Sequence, residues 1–149
     1  MAGSTPEHGA LAVRTGAALL AQLRGKRCAV YNSDVRIRVT STGLDTYPDG
    51  SVVCGTVDRD VQDHNALTNP VVLIEVTSDR GEKLDGYKSI ASVREVVFVS
   101  HREVLVEVVE RCETGEWVTR SARRGETIEL RSIVCTLDVN ELYRDPFAE

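Results

Sequence analysis

Three observations predict an α/β or α+β fold built on a mixed β-sheet. An alanine- and leucine-rich stretch with helical spacing opens the chain and stops at Gly25. Most of the chain beyond Gly25 breaks into short apolar segments of period two. Between residues 69 and 99 lies NPVVLIEVTSDRGEKLDGYKSIASVREVVFV, which reads as strand, helix and strand in succession. One N-terminal helix, one central helix and about six to eight short strands in a mixed sheet are therefore expected.

Residues 7–23 carry Leu11, Ala18, Leu19 and Leu23 among their apolar positions, and Gly16 within them permits close approach of another backbone. Residues 28–31 form a short strand. Residues 34–40 alternate cleanly, placing Val35, Ile37 and Val39 toward the core and Arg36 and Arg38 toward water or a partner. A turn-rich segment, residues 41–45, leads to Tyr47-Pro48-Asp49-Gly50 and a strand over residues 51–54, so Asp49 stands at a strand entrance. Residues 58–68, with His64, are polar and aperiodic and read as a surface loop.

In residues 71–76, Val71, Leu73 and Glu75 share one face, which leaves Glu75 a lone charge among apolar neighbours. Residues 79–90 change to helical spacing, with Asp79, Lys83 and Tyr87 on one side and Leu84 and Ile90 turned inward. Residues 93–99 return to a strand, and a helical crossover of this length favours a parallel, right-handed connection. Residues 103–110 and 116–120 make a hairpin through Glu113-Thr114-Gly115. Residues 126–130 are a further strand, and residues 136–143 a strand end followed by one helical turn.

The chain has 149 residues, 42% hydrophobic and 28% charged, which suits one domain with a single core. That domain is expected over residues 7–145, after a disordered segment at 1–6. No apolar run is long enough to span a bilayer, and Met-Ala-Gly-Ser-Thr-Pro-Glu lacks the features of a signal peptide, so a cytoplasmic location is expected. A net charge of −5 argues against a broad nucleic-acid footprint without excluding a local one. The clusters Arg24, Lys26, Arg27 and Arg120, Arg123, Arg124 read as solvated surface. Cys28, Cys54, Cys112 and Cys135 form no C-x-x-C pair and read as buried free thiols. His8, His64 and His101 lack ligand spacing, which argues against zinc.

Asp49 at the start of one strand and Glu75 near the end of another converge if the strands are neighbours. Two carboxylates held together are stable only when they share a cation or a proton. Such oxygen donors suit Mg²⁺ or Mn²⁺, and a nearby lysine can stabilise charge on a phosphoryl group. The residues alone favour a bland reading. In it Asp49 is a turn residue, Glu75 a sheet-end charge, Lys83 the exposed partner of Asp79, and Tyr87 an amphipathic packer.

The ordered motifs nevertheless resemble a known family. Cys28-x-Val30-x-x-Ser33-Asp34-x-Arg36-Ile37, Tyr47-Pro48-Asp49 with Val52-Val53-Cys54-Gly55, and Asn69-Pro70 with Ile74-Glu75-Val76-Thr77-Ser78 are similar to the Uma-two-type restriction endonuclease-like proteins. So are Asp79-Arg80-Gly81-Glu82-Lys83-Leu84 with Tyr87, Ser92-Val93-Arg94-Glu95-Val96, and Leu137 with Glu141-Leu142-Tyr143, a resemblance spanning residues 8–143. It implies the PD-(D/E)XK nuclease fold, a mixed sheet flanked by helices, with a divalent cation, Mg²⁺ or Mn²⁺. By that resemblance Asp49 and Glu75 are the metal-binding carboxylates and the Val76 carbonyl a further ligand. Lys83 is the active-site lysine, displaced onto the helix because Thr77 stands where the usual E-x-K places it, and Tyr87 supports it. The implied reaction is metal-dependent hydrolysis of phosphodiester bonds in DNA. The alternative is an inactive member that keeps the fold as an oligomerising or nucleic-acid-binding module. A strand segment usual before the first helix is absent, so an exposed sheet edge and a homodimer or higher homo-oligomer are expected.

Overall fold

The structure is a computed structural model that describes residues 4–79 and 81–148, without the side chain of Glu82. Thr5 caps the first helix by accepting a hydrogen bond from the His8 amide, and Pro6 fits the first turn, where its missing N–H leaves no donor unmade. Helix α1 (Pro6–Gln22) buries Leu11, Thr15 and Leu19, and Gly25 at φ 79° turns the chain into the first strand. Of the segment expected to be disordered, residues 1–3 lie outside the described residues, while Thr5 and Pro6 belong to this helix start.

Then come β1 (Cys28–Asn32), β2 (Arg36–Val39), β3 (Leu44–Thr46), β4 (Gly50–Cys54), β5 (Ala66–Leu67) and β6 (Val72–Val76). Helix α2 (Gly81–Lys88) leads to β7 (Glu95–Val99), β8 (Leu105–Arg111), β9 (Trp117–Arg123), β10 (Thr127–Leu130), β11 (Cys135–Asp138) and α3 (Val139–Leu142). The main sheet has six strands in the order β1-β4-β6-β7-β8-β9. The expected crossover is present: β6 and β7 are parallel neighbours, and every other pair in this sheet is antiparallel.

Both central strands are buried along their whole length because each face of the sheet is covered. Val72, Ile74, Val76, Val97 and Val99 pack with α1, α3 and the β10–β11 hairpin. Leu73, Val96 and Phe98 pack on the other face with Ile37, Leu67 and Tyr87, under β2, β5 and α2. Each fully buried Val or Leu contributes about 1.5–3 kcal/mol, so these two strands give the residues at their ends a firmly packed base.

The expected α+β fold on a mixed sheet is present, and two smaller sheets, β10–β11 and β3-β2-β5, accompany the six-stranded one. Three expectations need correction. Leu44 and Asp45 open β3 inside the presumed turn, and Ala66–Leu67 pair with β2 inside the presumed loop; strands of two or three residues leave almost no periodic trace. Helix α2 begins at Gly81, and Asp79 lies ahead of it, its carboxylate accepting from the Gly81 amide. Cys28 and Cys54 are joined as a disulfide, because the antiparallel register of β1 and β4 sets them directly opposite with Cα atoms 4.0 Å apart. Cys112 and Cys135 are free.

Nor is Arg120 merely solvated. It bonds the Glu110 carboxylate at 2.9 Å and the Glu129 carbonyl at 2.7 Å, beside the buried Glu95 of β7. Glu95 is 1% exposed and accepts from the amides of Arg131 and Ser132 and from the Ser132 hydroxyl, tying the β10–β11 turn to the main sheet. Glu95→Ala strands these donors beneath the turn and is expected to lower unfolding free energy by about 3 kcal/mol, measured by urea denaturation.

Candidate active site

The register of β4 against β6 brings the first functional groups together. Gly50 lies opposite Ile74, so Asp49, one residue earlier, meets the end of β6. Its Oδ2 accepts the Val76 amide at 2.8 Å. Gly50 leaves room for the Ile74 side chain beside it: a Cβ there would stand 3.0 Å from Ile74 Cδ1.

Glu75 lies on the face of β6 that carries Leu73, as its period-two position requires, and is only 3% exposed. Tyr87 donates its hydroxyl to Glu75 Oε1 at 2.5 Å, and Lys83 Nζ lies 3.3 Å from Oε2. Thr46 completes the chain, its Oγ1 3.2 Å from the Tyr87 oxygen. Lys83 and Tyr87 reach one carboxylate because they stand one turn apart on α2. The C-terminal end of that helix is fixed by Arg111, which donates to the carbonyls of Lys88 and Ile90 and lies over the Trp117 ring at 4.7 Å. Tyr87 is fully buried, whereas the Lys83 side chain is half exposed.

Burial pushes the Glu75 carboxyl above its ordinary range; the Tyr87 hydrogen bond and the Lys83 charge oppose this, and the Asp49 charge adds to it. Burial and the neighbouring Glu75 charge likewise push the Tyr87 phenol upward, so it remains a hydrogen-bond donor. Asp49, Glu75, Val76 and Lys83 border one cleft of about 1190 Å³ between α1, β1 and the end of β6.

The structure therefore brings Asp49, Glu75, Val76, Lys83 and Tyr87 together and leaves Asp79 outside, at the helix entrance. It also adds His8, whose Nε2 is 3.3 Å from Asp49 Oδ2. The sequence carried a faint signal for it: His8, Leu11, Thr15 and Leu19 fall on one helical stripe, so His8 extends the buried face of α1. Among the described residues, no group of three or more His, Cys, Asp or Glu side chains is placed to hold a metal ion.

The family model described as "Uma2: Putative restriction endonuclease" matches residues 1–140. The chain is 29% identical over 150 residues to the uncharacterized protein slr1290 of Synechocystis sp., covering 97% of this chain and 78% of that one. It is 22% identical over 136 residues to the uncharacterized protein sll1609 of the same organism, covering 87% and 76%. In fold it is similar to the crystal structure of "a putative nuclease belonging to DUF820" from Anabaena variabilis, with a TM-score of 0.73 at 16% identity over 94% of this chain and 82% of that one.

The buried Glu75 gives the metal-free protein a pH-dependent stability. The folded state holds the Glu75 proton more tightly than the unfolded state, which releases it near the ordinary value of 4.5. Stability from this group is thus full below that value and declines as pH rises through the elevated folded-state pKa. Glu75→Gln is expected to raise the Tm by a few degrees at neutral pH in EDTA, with the difference vanishing at acid pH, as followed by thermal unfolding.

Proposed function

The chain belongs to the Uma2 family of putative restriction endonucleases, and from that premise we propose that it is a divalent-cation-dependent DNA endonuclease centred on Asp49, Glu75 and Lys83. The observation that carries the reading is the convergence of two carboxylates and a lysine on one cleft, with the lysine 3.3 Å from one carboxylate. Random surface charge does not place a 3%-exposed glutamate beneath a half-exposed lysine at the end of a buried strand.

The donor set fits Mg²⁺ or Mn²⁺. Asp49, Glu75 and the Val76 carbonyl are all oxygen donors, and two carboxylates leave the remaining positions to waters and a substrate phosphate, as these hard ions favour. The Val76 amide and the Tyr87 hydroxyl each occupy one carboxylate oxygen and so fix the plane in which the other is presented. A bound cation supplies Lewis acidity toward a phosphodiester. The protein's own groups do the positioning. Tyr87 and Thr46 orient Glu75, His8 and the Val76 amide orient Asp49, and Lys83 offsets negative charge gathering on the phosphate.

A second reading, an inactive nucleic-acid-binding member of the family, draws on one observation: Lys83 and His8 already pair with the two carboxylates. Nicking of supercoiled DNA separates the two. With Mg²⁺ or Mn²⁺ the parent is expected to cut, and Asp49→Asn, Glu75→Gln and Lys83→Met each to lose about 10²-fold or more. Tyr87→Phe, which loses only an orienting bond, is expected to fall by about ten-fold. DNA binding without cutting in either metal identifies the inactive reading.

The edge position of β1 supports self-association, because unpaired backbone groups along a strand template another strand. A dimer is the expected species in sedimentation equilibrium; a monomer at high concentration removes this part.

A further inference from the structure

We propose that the cleft takes an unpaired DNA strand, with the Tyr47 ring serving as a stacking platform for a base beside the carboxylates. The inference rests on the nuclease reading for nucleic acid as the substrate, and it narrows which form of DNA enters.

Charge is the first argument. Double-stranded DNA presents one negative charge per roughly 1.7 Å of axis and is held by rows of Lys and Arg. A single strand carries about half that linear charge, so it meets less repulsion in a cleft that Asp34, Asp49 and Glu75 border against Lys83 and His8. Among the described residues, four arginines of the surrounding elements are committed elsewhere. Arg36 bonds Asp63 at 3.0 Å, Arg38 bonds Asp45 at 2.5 Å, Arg59 donates to the His64 carbonyl, and Arg14 donates to the Leu142 carbonyl.

The lining is the second argument. On α1, Val13 and Leu20 border the cleft at 71% and 62% exposure. In a duplex the base faces are stacked inward and cannot meet such a wall, whereas an unpaired strand offers every base face to it. Gly9, Gly16 and Ala17 line the same side of the helix and leave room for a planar group.

Tyr47 supplies the third. It borders the cleft two residues before Asp49 and is 49% exposed. Pro48 stiffens the backbone between the two. A half-exposed ring bordering the same cleft as the carboxylates is what stacking against an unpaired base requires, and neither core cluster includes it.

The test is fluorescence anisotropy of one labelled oligonucleotide, single-stranded and as its duplex, in Ca²⁺, with the parent, Tyr47→Ala and Tyr47→Phe, each checked for an unchanged Tm. The parent is expected to bind the single strand about ten-fold more tightly than the duplex; Tyr47→Ala removes that preference and Tyr47→Phe keeps it. Duplex binding as tight as single-strand binding, a preference unmoved by Tyr47→Ala, or no binding of either form overturns the proposal. So does oligonucleotide binding lost in step with dimer formation, which assigns the wall to a second copy. Single-strand preference without any metal-dependent cutting would defeat the nuclease reading and leave this one standing. Preferential cutting of duplex would do the reverse.

Discussion

The hydrogen bond from the Val76 amide to Asp49 joins the entrance of β4 to the exit of β6, and the geometry of the cleft depends on it. It forms because the two strands run antiparallel with Gly50 opposite Ile74, and because glycine leaves room for the Ile74 side chain. The partner strand β7 then buries β6 on its other edge, with apolar layers on both faces. A carboxylate held against such a strand cannot drift, which is the pre-organisation a catalytic site needs.

The sheet carries two buried glutamates, and their surroundings divide their roles. Glu95 is met by the amides and hydroxyl of a turn that folds over it, so its charge is consumed in holding the β10–β11 hairpin to the sheet. Glu75 is met by one phenol from inside and one half-exposed lysine from the cleft side, and burial keeps its proton affinity high. The first arrangement is closed. The second is open toward solvent on one side, where a ligand can replace or join the lysine.

Much of this was legible in the residues. The alternation of residues 71–76 placed Glu75 with Leu73, the spacing of Lys83 and Tyr87 placed both over it, and the crossover rule made β6 and β7 parallel; the structure has all three features. What sequence could not reach was contact between distant segments. His8 meets Asp49 across 41 positions, and Cys28 meets Cys54 only through a strand register that no local pattern encodes. The short strands β3 and β5 are held by pairing with β2 and by ion pairs of Arg36 and Arg38 with Asp63, Asp45 and Asp60, so their own residues carry no periodic signal. Arg120 and Arg123 read as a solvated cluster for the same reason: Glu110 and Glu103, which they bond, come from an adjacent strand and the turn before it.

The central claim is that Asp49 and Glu75 form one cation site. Calorimetric titration of Mn²⁺ into the parent, Asp49→Asn and Glu75→Ala tests it without knowledge of the DNA sequence cut. Saturable binding by the parent that is lost in both variants is the predicted result. Binding that persists unchanged when either carboxylate is removed would contradict it, as would no binding by the parent with or without a DNA strand present.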